Sequence, residues 1–302
     1  MSTENKITKK QHYVPQVYLR GFSPEYHKGN KDLPLSKYTI YCHDLTARDQ
    51  IMKAVPIKSI CYNNYLYEVT GYEGEIVLPN YLEKILSAFE KMFGNFRYEL
   101  ERKVYIEDNY KTKCFLANKE KVFWVTYILV QILRLPQILK LAESVSLETW
   151  GDQINTMQAQ NIARMSCLPF FKPLEEDSKE AVLFYTFLKP MLNMSFGVGV
   201  DRQAKIVTSD NPVFIYSRER TNKEYSKVIF PITSEICLFL FGNEYKEQYP
   251  KNFLFPIKDE DREEIFKSIT KSSQQKIYSN HMLDKKERRF VKEVRKCKEH
   301  SC

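Results

Sequence analysis

Near the start of the chain stands the stretch Gln11-His12-Tyr13-Val14-Pro15-Gln16-Val17-Tyr18-Leu19-Arg20-Gly21-Phe22. Proline has a fixed φ and lacks an amide donor, so Pro15 suits the first position of a helix. We therefore expect His12 just before a helix, with Gln16 and Arg20, four residues apart, on one of its faces. A structural interpretation is open as well, in which His12 is a hydrogen-bonded buried histidine and Arg20 is half of a salt bridge.

The composition is that of a globular protein with a large hydrophobic core. The chain has 302 residues, of which 43% are hydrophobic and 28% are charged. Only 9 residues are Gly, while 14% are aromatic, which favours helices packed with aromatic rings over a turn-rich β-sandwich. The longest apolar run, residues 122–133, is too short to span a membrane and predicts a buried helix. We therefore expect a cytoplasmic protein with no membrane partner.

Charge and cysteine usage narrow the class of protein further. The formal net charge is +8, and the segment from 285 to the end carries eight Lys or Arg against three Glu. This segment predicts a basic terminal helix that either meets phosphates or forms a solvated face. The seven Cys are scattered without a CxxC pair, so we expect reduced thiols and no zinc site.

The pattern of apolar residues predicts strands, then helices, then strands again. Alternation predicts strands over 37–45 and 51–67. A period near 3.6 predicts helices over 79–103, 112–133, 138–150, 152–165 and 175–194, with a loop at 168–173. Further on we expect a strand pair at 196–200 and 205–208, strands at 213–216, 228–232 and 236–241, a helix at 259–272 and a short element at 277–281.

This order of elements predicts an α+β fold. A small mixed or antiparallel sheet, built from N- and C-terminal strands, would lie against a large central helical layer. We expect a polar basic tail at 1–10, a single α+β domain at 11–284 with a helical insertion at about 79–194, and a basic C-terminal helix or tail at 285–302.

Polar residues within these apolar segments are candidates for a site. Glu83 and Glu90 lie seven apart on one line of the helix over 79–103, and Glu90 suits a general base, a metal ligand, or a salt-bridge partner for Arg20 or Arg134. Arg134 itself, beside the helix break at Pro136, needs a carboxylate or an anionic ligand as partner.

Two further motifs accompany the first. Gln131, Arg134 and Pro136 form a Q-x-x-R-x-P arrangement at the helix break, and Thr208 to Val213 reads T-S-D-N-P-V at a strand end. Together with the QHYVPQ run, these motifs resemble those of the bacterial domain of unknown function 4238 family. The resemblance extends from residue 11 to about 290 and implies that the motif residues meet in one polar cluster. Its predicted members are His12, Tyr13, Gln16, Arg20, Glu90, Gln131, Arg134, Asp210 and Asn211.

Such a cluster suits phosphodiester cleavage. His12 would act as base or acid, with Asp210 as its partner or as a Mg²⁺ ligand, and Glu90 and Asn211 would complete the catalytic set. We expect Arg20 and Arg134 on the phosphate, and Gln16, Gln131 and Tyr13 as further substrate contacts. The function expected from this set is an RNA nuclease, a toxin-like effector in anti-phage defence, with nucleic acid and a protein from the same defence operon as partners.

Two alternatives remain open. The cluster could bind a nucleotide or another anionic signal without chemistry, with arginines on the phosphates and Tyr13 or Tyr18 stacked on a base. It could also be a structural network that holds the sheet to the helices. The sequence contains no P-loop, GxSxG or Rossmann glycine pattern that would point to another class of enzyme.

Overall fold

A computed structural model describes residues 7–31, 33–47, 52–106, 115–166, 186, 188–217, 226–245 and 252–299. The predicted loop at 168–173 and most of the helix predicted over 175–194 lie outside the described residues, as do most of the tail at 1–10 and the last three residues.

The described elements form an α+β fold, as predicted. The helices are α1 (Gln16–Leu19), α2 (Pro24–His27), α3 (Tyr81–Ile106), α4 (Asn118–Leu133), α5 (Pro136–Trp150), α6 (Thr156–Met165), α7 (Lys189–Leu192), α8 (Asp259–Ser272) and α9 (Lys285–Glu299). The strands are β1 (Lys10–His12), β2 (Thr39–Asp44), β3 (Lys53–Pro56), β4 (Tyr62–Asn64), β5 (Val69–Thr70), β6 (Ile76–Leu78), β7 (Ser195–Val200), β8 (Thr208–Ser209), β9 (Phe214–Tyr216), β10 (Lys227–Pro231), β11 (Ile236–Phe241), β12 (Phe253–Pro256) and β13 (Lys276–Ser279).

Two larger sheets organise these strands. The first has the order β12-β7-β11-β10-β9 and is antiparallel except for the parallel pair β12–β7. Every residue of β7, β10 and β11 is buried, which explains their continuous apolar runs. The second sheet, β3-β2-β13-β8, joins strands from the two ends of the chain, in agreement with the predicted sheet. The pairs β1–β4 and β5–β6 are separate small ribbons.

The strand pair predicted at 196–200 and 205–208 is wrong. β7 pairs with β11 and β12, whereas β8 belongs to the other sheet and pairs with β13. Between them the Asp201 carboxylate accepts the backbone N–H groups of Gln203 and Lys205 at 3.0 and 2.9 Å. Ala204 adopts a positive φ of 53°. This turn redirects the chain from one sheet to the other instead of closing a hairpin.

Aromatic contacts hold the helical layer together. Phe93 of α3 stacks on Tyr127 of α4 at 4.4 Å between centroids, and Phe96 stacks on Phe123 at 3.9 Å. Pro136 begins α5, and the axes of α4 and the following helical segment differ by 73° at the break. No single helix in the described part of the chain is long and apolar enough to cross a membrane; the bent pair on either side of this break passes the length and composition test together.

The opening motif lies at the junction of sheets and helices. Tyr18 of α1 is fully buried, with its ring 5.5 Å from that of Phe230 in β10 and 5.8 Å from that of Phe93. Its hydroxyl donates to the carbonyl of Pro231 at 2.9 Å and lies 2.7 Å from Thr208 Oγ1. The segment that carries His12 and Arg20 is therefore anchored through Tyr18 to both the first sheet and the helical layer.

The basic C-terminal segment forms helix α9 and packs on the domain. Val291 and Val294 are buried, and Lys286 forms an ion pair with Glu263 of α8. Arg295 donates to the carbonyl of Ala47 at 2.8 Å. The helix thus uses one apolar stripe for docking, and most of its Lys and Arg side chains remain on the solvent side.

Candidate functional site

Arg134 is the centre of the polar network that the motifs build. It ends α4 and is 3% exposed. Its Nη1 lies 2.9 Å from Glu90 Oε1, its Nη2 donates to the backbone carbonyl of His12, and its Nε donates to the Tyr67 hydroxyl at 3.3 Å. Burial lowers the pKa of Arg134, but Tyr67 and Glu90 outweigh it and hold the pKa above its ordinary value. Arg134 is therefore a permanent cation with all of its nitrogens engaged.

Two amides complete the link between the first and second motifs. Gln131, one turn before Arg134, donates to the carbonyl of Tyr13 at 2.7 Å. Gln11, also fully buried, donates to the carboxylate of Glu68 and accepts the backbone N–H of Tyr67 at 2.7 Å. These amides replace the hydrogen bonds that the backbone would otherwise make with water, so strand β1 is locked against α4.

His12 is the last residue of β1, four residues before the start of α1. It pairs with Tyr62 of β4, and the two rings are 5.6 Å apart. Burial is the main reason that the pKa of His12 is lowered to about 4. The positive charges of Arg134 and Lys10 lower this pKa further, while a hydrogen bond with the backbone of Lys58 raises it. Nε2 is buried without a hydrogen-bond partner among the described residues. At neutral pH His12 is therefore a neutral imidazole, and Asp210 is not among the groups that act on it.

Asp210 and Asn211 hold the turn between α8 and β13. The backbone N–H groups of residues 274–276 donate to the Asp210 carboxylate at 2.8, 2.8 and 3.1 Å. Asn211 Nδ2 donates to the carbonyl of Ser272 at 2.9 Å. Burial raises the pKa of Asp210, although the three N–H bonds oppose this. Both carboxylate oxygens thus accept hydrogen bonds from the protein. A Mg²⁺ ion bound by Asp210 would have to compete with these three backbone bonds.

Glu83 interacts electrostatically with two other carboxylates and with Arg134. The two carboxylates are Glu90 and Glu68, and we call these three residues the carboxylate cluster. Glu83 and Glu90 share a face of α3 because they are seven residues apart. Burial and the charges of Glu90 and Glu68 raise the pKa of Glu83 to about 7, against the attraction of Arg134. Glu83 therefore changes its protonation state near neutral pH.

The sequence signal for Glu83 was its spacing from Glu90, but its raised pKa could not be read from the sequence. The third carboxylate, Glu68, gave no such signal because it precedes α3 by a turn and the β5–β6 ribbon. Within the described ranges no set of three or more His, Cys, Asp or Glu side chains is placed to hold a metal ion.

The remaining predicted residues lie along the segment after β1. Tyr13 is half-buried, its N–H donates to the Cys61 carbonyl at 2.8 Å, and burial next to Cys61 raises the pKa of its hydroxyl. Gln16 begins α1 and is half-buried. Arg20 follows α1, and its Cζ lies 5.9 Å from the centroid of the Tyr26 ring.

Apart from Gln16, the predicted residues make three sets of contacts, and Asp210 still acts electrostatically on the Tyr13 hydroxyl. The network around Arg134 contains His12, Tyr13, Glu90 and Gln131. Asp210 and Asn211 belong to the α8–β13 turn, and Arg20 belongs to a group of cations around Tyr26.

Comparison with known proteins gives one match. Residues 10–282 match the family described as "Protein of unknown function (DUF4238)". This range includes every predicted site residue and the carboxylate cluster. No curated protein and no solved structure matches the chain.

Proposed function

The chain belongs to this family of proteins of unknown function, DUF4238, and we propose that it is a nuclease that cleaves phosphodiester bonds in RNA. The observation that carries the proposal is the pKa of about 7 at Glu83, next to the ion pair of Glu90 with Arg134. A carboxyl group with a raised pKa beside a carboxylate that is paired with an arginine is an arrangement that suits a general acid and a general base.

In this proposal the protonated Glu83 is the acid and the ionised Glu90 is the base. Their Cα atoms are separated by seven helical residues, or about 10 Å along the axis of α3, so that one phosphodiester can lie between the side chains. Glu90 accepts the proton of the RNA 2′-hydroxyl while the 2′ oxygen attacks phosphorus. Glu83 then donates its proton to the 5′ oxygen as the P–O5′ bond breaks. Arg134 forms an ion pair with Glu90 at 2.9 Å and holds its carboxylate in place.

The charge of the protein supports a polyanionic substrate. The net charge of +8 attracts nucleic acid, and the exposed Lys and Arg of α9 supply part of it. The expected setting, a toxin-like effector of anti-phage defence in the bacterial cytoplasm with a protein partner from its operon, belongs to the same proposal. Because the step above uses a 2′-hydroxyl, DNA is not a substrate of this reaction.

The test is cleavage of total RNA and plasmid DNA by purified protein, with and without EDTA, together with toxicity to the host cell. Glu83→Gln and Glu90→Gln are expected to lower the cleavage rate by about 10²–10⁴-fold. Glu99→Gln, which removes a carboxylate from the exposed side of the same helix, is the matched control and should cleave like wild type. Full activity of Glu83→Gln would exclude it as the acid.

A second candidate function is the binding of a nucleotide or another anionic ligand without catalysis. It is favoured by the observation that two polar atoms of the network, His12 Nε2 and Gln131 Oε1, are buried without a hydrogen-bond partner among the described residues. In the same assays this function predicts no cleavage by wild type, and a melting temperature that rises with added nucleotide.

A further inference from the structure

A separate group of cations surrounds Tyr26 of α2. One of them, Arg97, lies in the C-terminal half of α3. The Tyr26 ring centroid lies 4.8 Å from Arg97 Cζ, 5.2 Å from Lys31 Nζ and 5.9 Å from Arg20 Cζ. Arg97 lies seven residues beyond Glu90 on α3, about 10 Å along the helix axis. We call Arg20, Lys31 and Arg97 the arginine niche; it shares no side chain with the carboxylate cluster.

The niche has more cations than its own carboxylate can neutralise. Glu101 accepts from Lys31 Nζ at 2.8 Å and from the Tyr26 hydroxyl at 2.7 Å, and its distance to Arg97 Nε is 3.8 Å. The next carboxylate, Glu235, is bound to His27 and to the Tyr105 hydroxyl. Three cationic side chains therefore face one carboxylate directly.

Two guanidinium nitrogens in the niche have no hydrogen-bond partner. Nε of Arg20 and Nε of Arg97 are both buried, and neither has an acceptor within the part of the chain that the structure describes. Arg97 is 1% exposed, and its Nη1 donates to the carbonyl of Val17 at 2.6 Å. Burial and the charge of Arg97 lower the pKa of Arg20. Like charges with unsatisfied donors are costly unless an anion joins them.

We propose that the arginine niche binds the phosphate group of a small molecule, with Arg20 and Lys31 contacting the anion and Arg97 supplying positive charge from beneath. Arg20 and Lys31 are only partly buried, so an anion can reach them from solvent. The excess of positive charge attracts an anion, and the guanidinium fork matches phosphate oxygens.

An aromatic ring beside the niche suits a nucleotide as the source of this phosphate. Tyr105 is 51% exposed, and its ring centroid lies 5.4 Å from Lys31 Nζ. A base can stack on the open side of this ring while the phosphate contacts Lys31 and Arg20. Inorganic phosphate and pyrophosphate share the anion chemistry but cannot use the ring.

The proposal does not depend on the nuclease activity, and binding is measured without turnover. Isothermal titration calorimetry and melting curves would use inorganic phosphate, pyrophosphate, AMP and ATP at constant ionic strength. We expect binding to wild type, and at least a tenfold weaker binding to Arg20→Gln. Arg102→Gln is the matched control: Arg102 is exposed on the same helix, pairs with Glu99, and should leave binding unchanged.

The ligand-free variant gives a second readout. Arg20→Gln removes one of the three like charges of the niche, so its melting temperature without ligand should equal or exceed that of wild type. A salt-bridging Arg20 would give a drop and overturn the proposal. Tighter binding of AMP than of phosphate, lost in Tyr105→Ala, identifies a nucleotide, and equal binding identifies a free phosphate anion. No binding of any of the four ligands, or equal binding to Arg20→Gln, would also overturn it.

Discussion

The guanidinium of Arg134 donates to the backbone carbonyl of His12, which lies 122 residues earlier in the chain. The second motif thereby holds the backbone, not the imidazole, of the first. The His12 ring itself lies 5.6 Å from that of Tyr62. In the proposed function the acid–base pair is Glu83 and Glu90, and the catalytic roles of His12 and Asp210 stay predictions.

Removing the Arg134 guanidinium should destabilise the protein strongly. Arg134→Gln leaves Glu90 without its cation and the His12 carbonyl without its donor, at a cost of about 3–5 kcal/mol. Urea denaturation would measure this loss. Arg102→Gln, which breaks an exposed pair with Glu99, should change stability by less than about 1 kcal/mol. Similar losses in the two variants would contradict a central role for Arg134.

Glu83→Gln should stabilise the protein at alkaline pH. The folded protein holds a proton on Glu83 up to a pKa of about 7, against an ordinary value of 4.5, so stability is lost as pH rises through this window. The variant lacks this penalty and should gain about 1–3 kcal/mol above the window and almost nothing below it. Melting curves at the two extremes would show it; an equal effect at both would refute the raised pKa.

The His12 imidazole should remain neutral in mildly acidic solution. Its pKa of about 4 lies below the ordinary 6.5, so the unfolded chain takes up a proton first and stability falls as pH drops from 6.5 towards 4. An NMR titration of the His12 ring, assigned by comparison with His12→Gln, should give a midpoint near the lower value. A midpoint near 6.5 would mean that the ring is solvated.

Asp210→Asn should lower stability because one carboxylate oxygen becomes an N–H₂ donor that faces backbone N–H groups. The three bonds from residues 274–276 cannot all be kept, and we expect a loss of about 2–4 kcal/mol. The melting temperature and the cleavage assay should be measured on the same sample. Lost cleavage with an unchanged melting temperature would return Asp210 to the catalytic set.

Two glycines should respond oppositely to substitution by alanine. A Cβ at Gly199 in β7 would lie 2.8 Å from Ile257 Cγ1 and 2.9 Å from Phe239 Cε2, so Gly199→Ala should cost about 1–3 kcal/mol by overpacking. A Cβ at Gly94 in α3 would meet Val17 Cγ2 at 3.6 Å, an ordinary contact. Gly94→Ala should therefore stabilise the helix, by up to about 1 kcal/mol. Chemical denaturation of both variants provides the comparison.

The secondary-structure elements with a local sequence pattern could be predicted without the structure. Apolar residues at a period near 3.6 predicted the long helices α3 and α4, Pro136 predicted the break after α4, and residues 259–272 coincide with α8. The motifs also identified the family, whose match spans residues 10–282. Helical periodicity and proline geometry act over a few residues, so they can be read without knowing the rest of the fold.

The contacts of the polar residues follow from the tertiary structure and cannot be read from the sequence. The sequence could not show that β8 pairs with β13 and not with β7. Nor could it show that the Asp210 carboxylate accepts hydrogen bonds from a turn that begins 64 residues later. Nor could it show that Glu83 lies among carboxylates while Arg20 lies among cations. Strand pairing, burial and the distance between charges arise from contacts between remote segments, and these contacts set the pKa values and hydrogen bonds on which function depends.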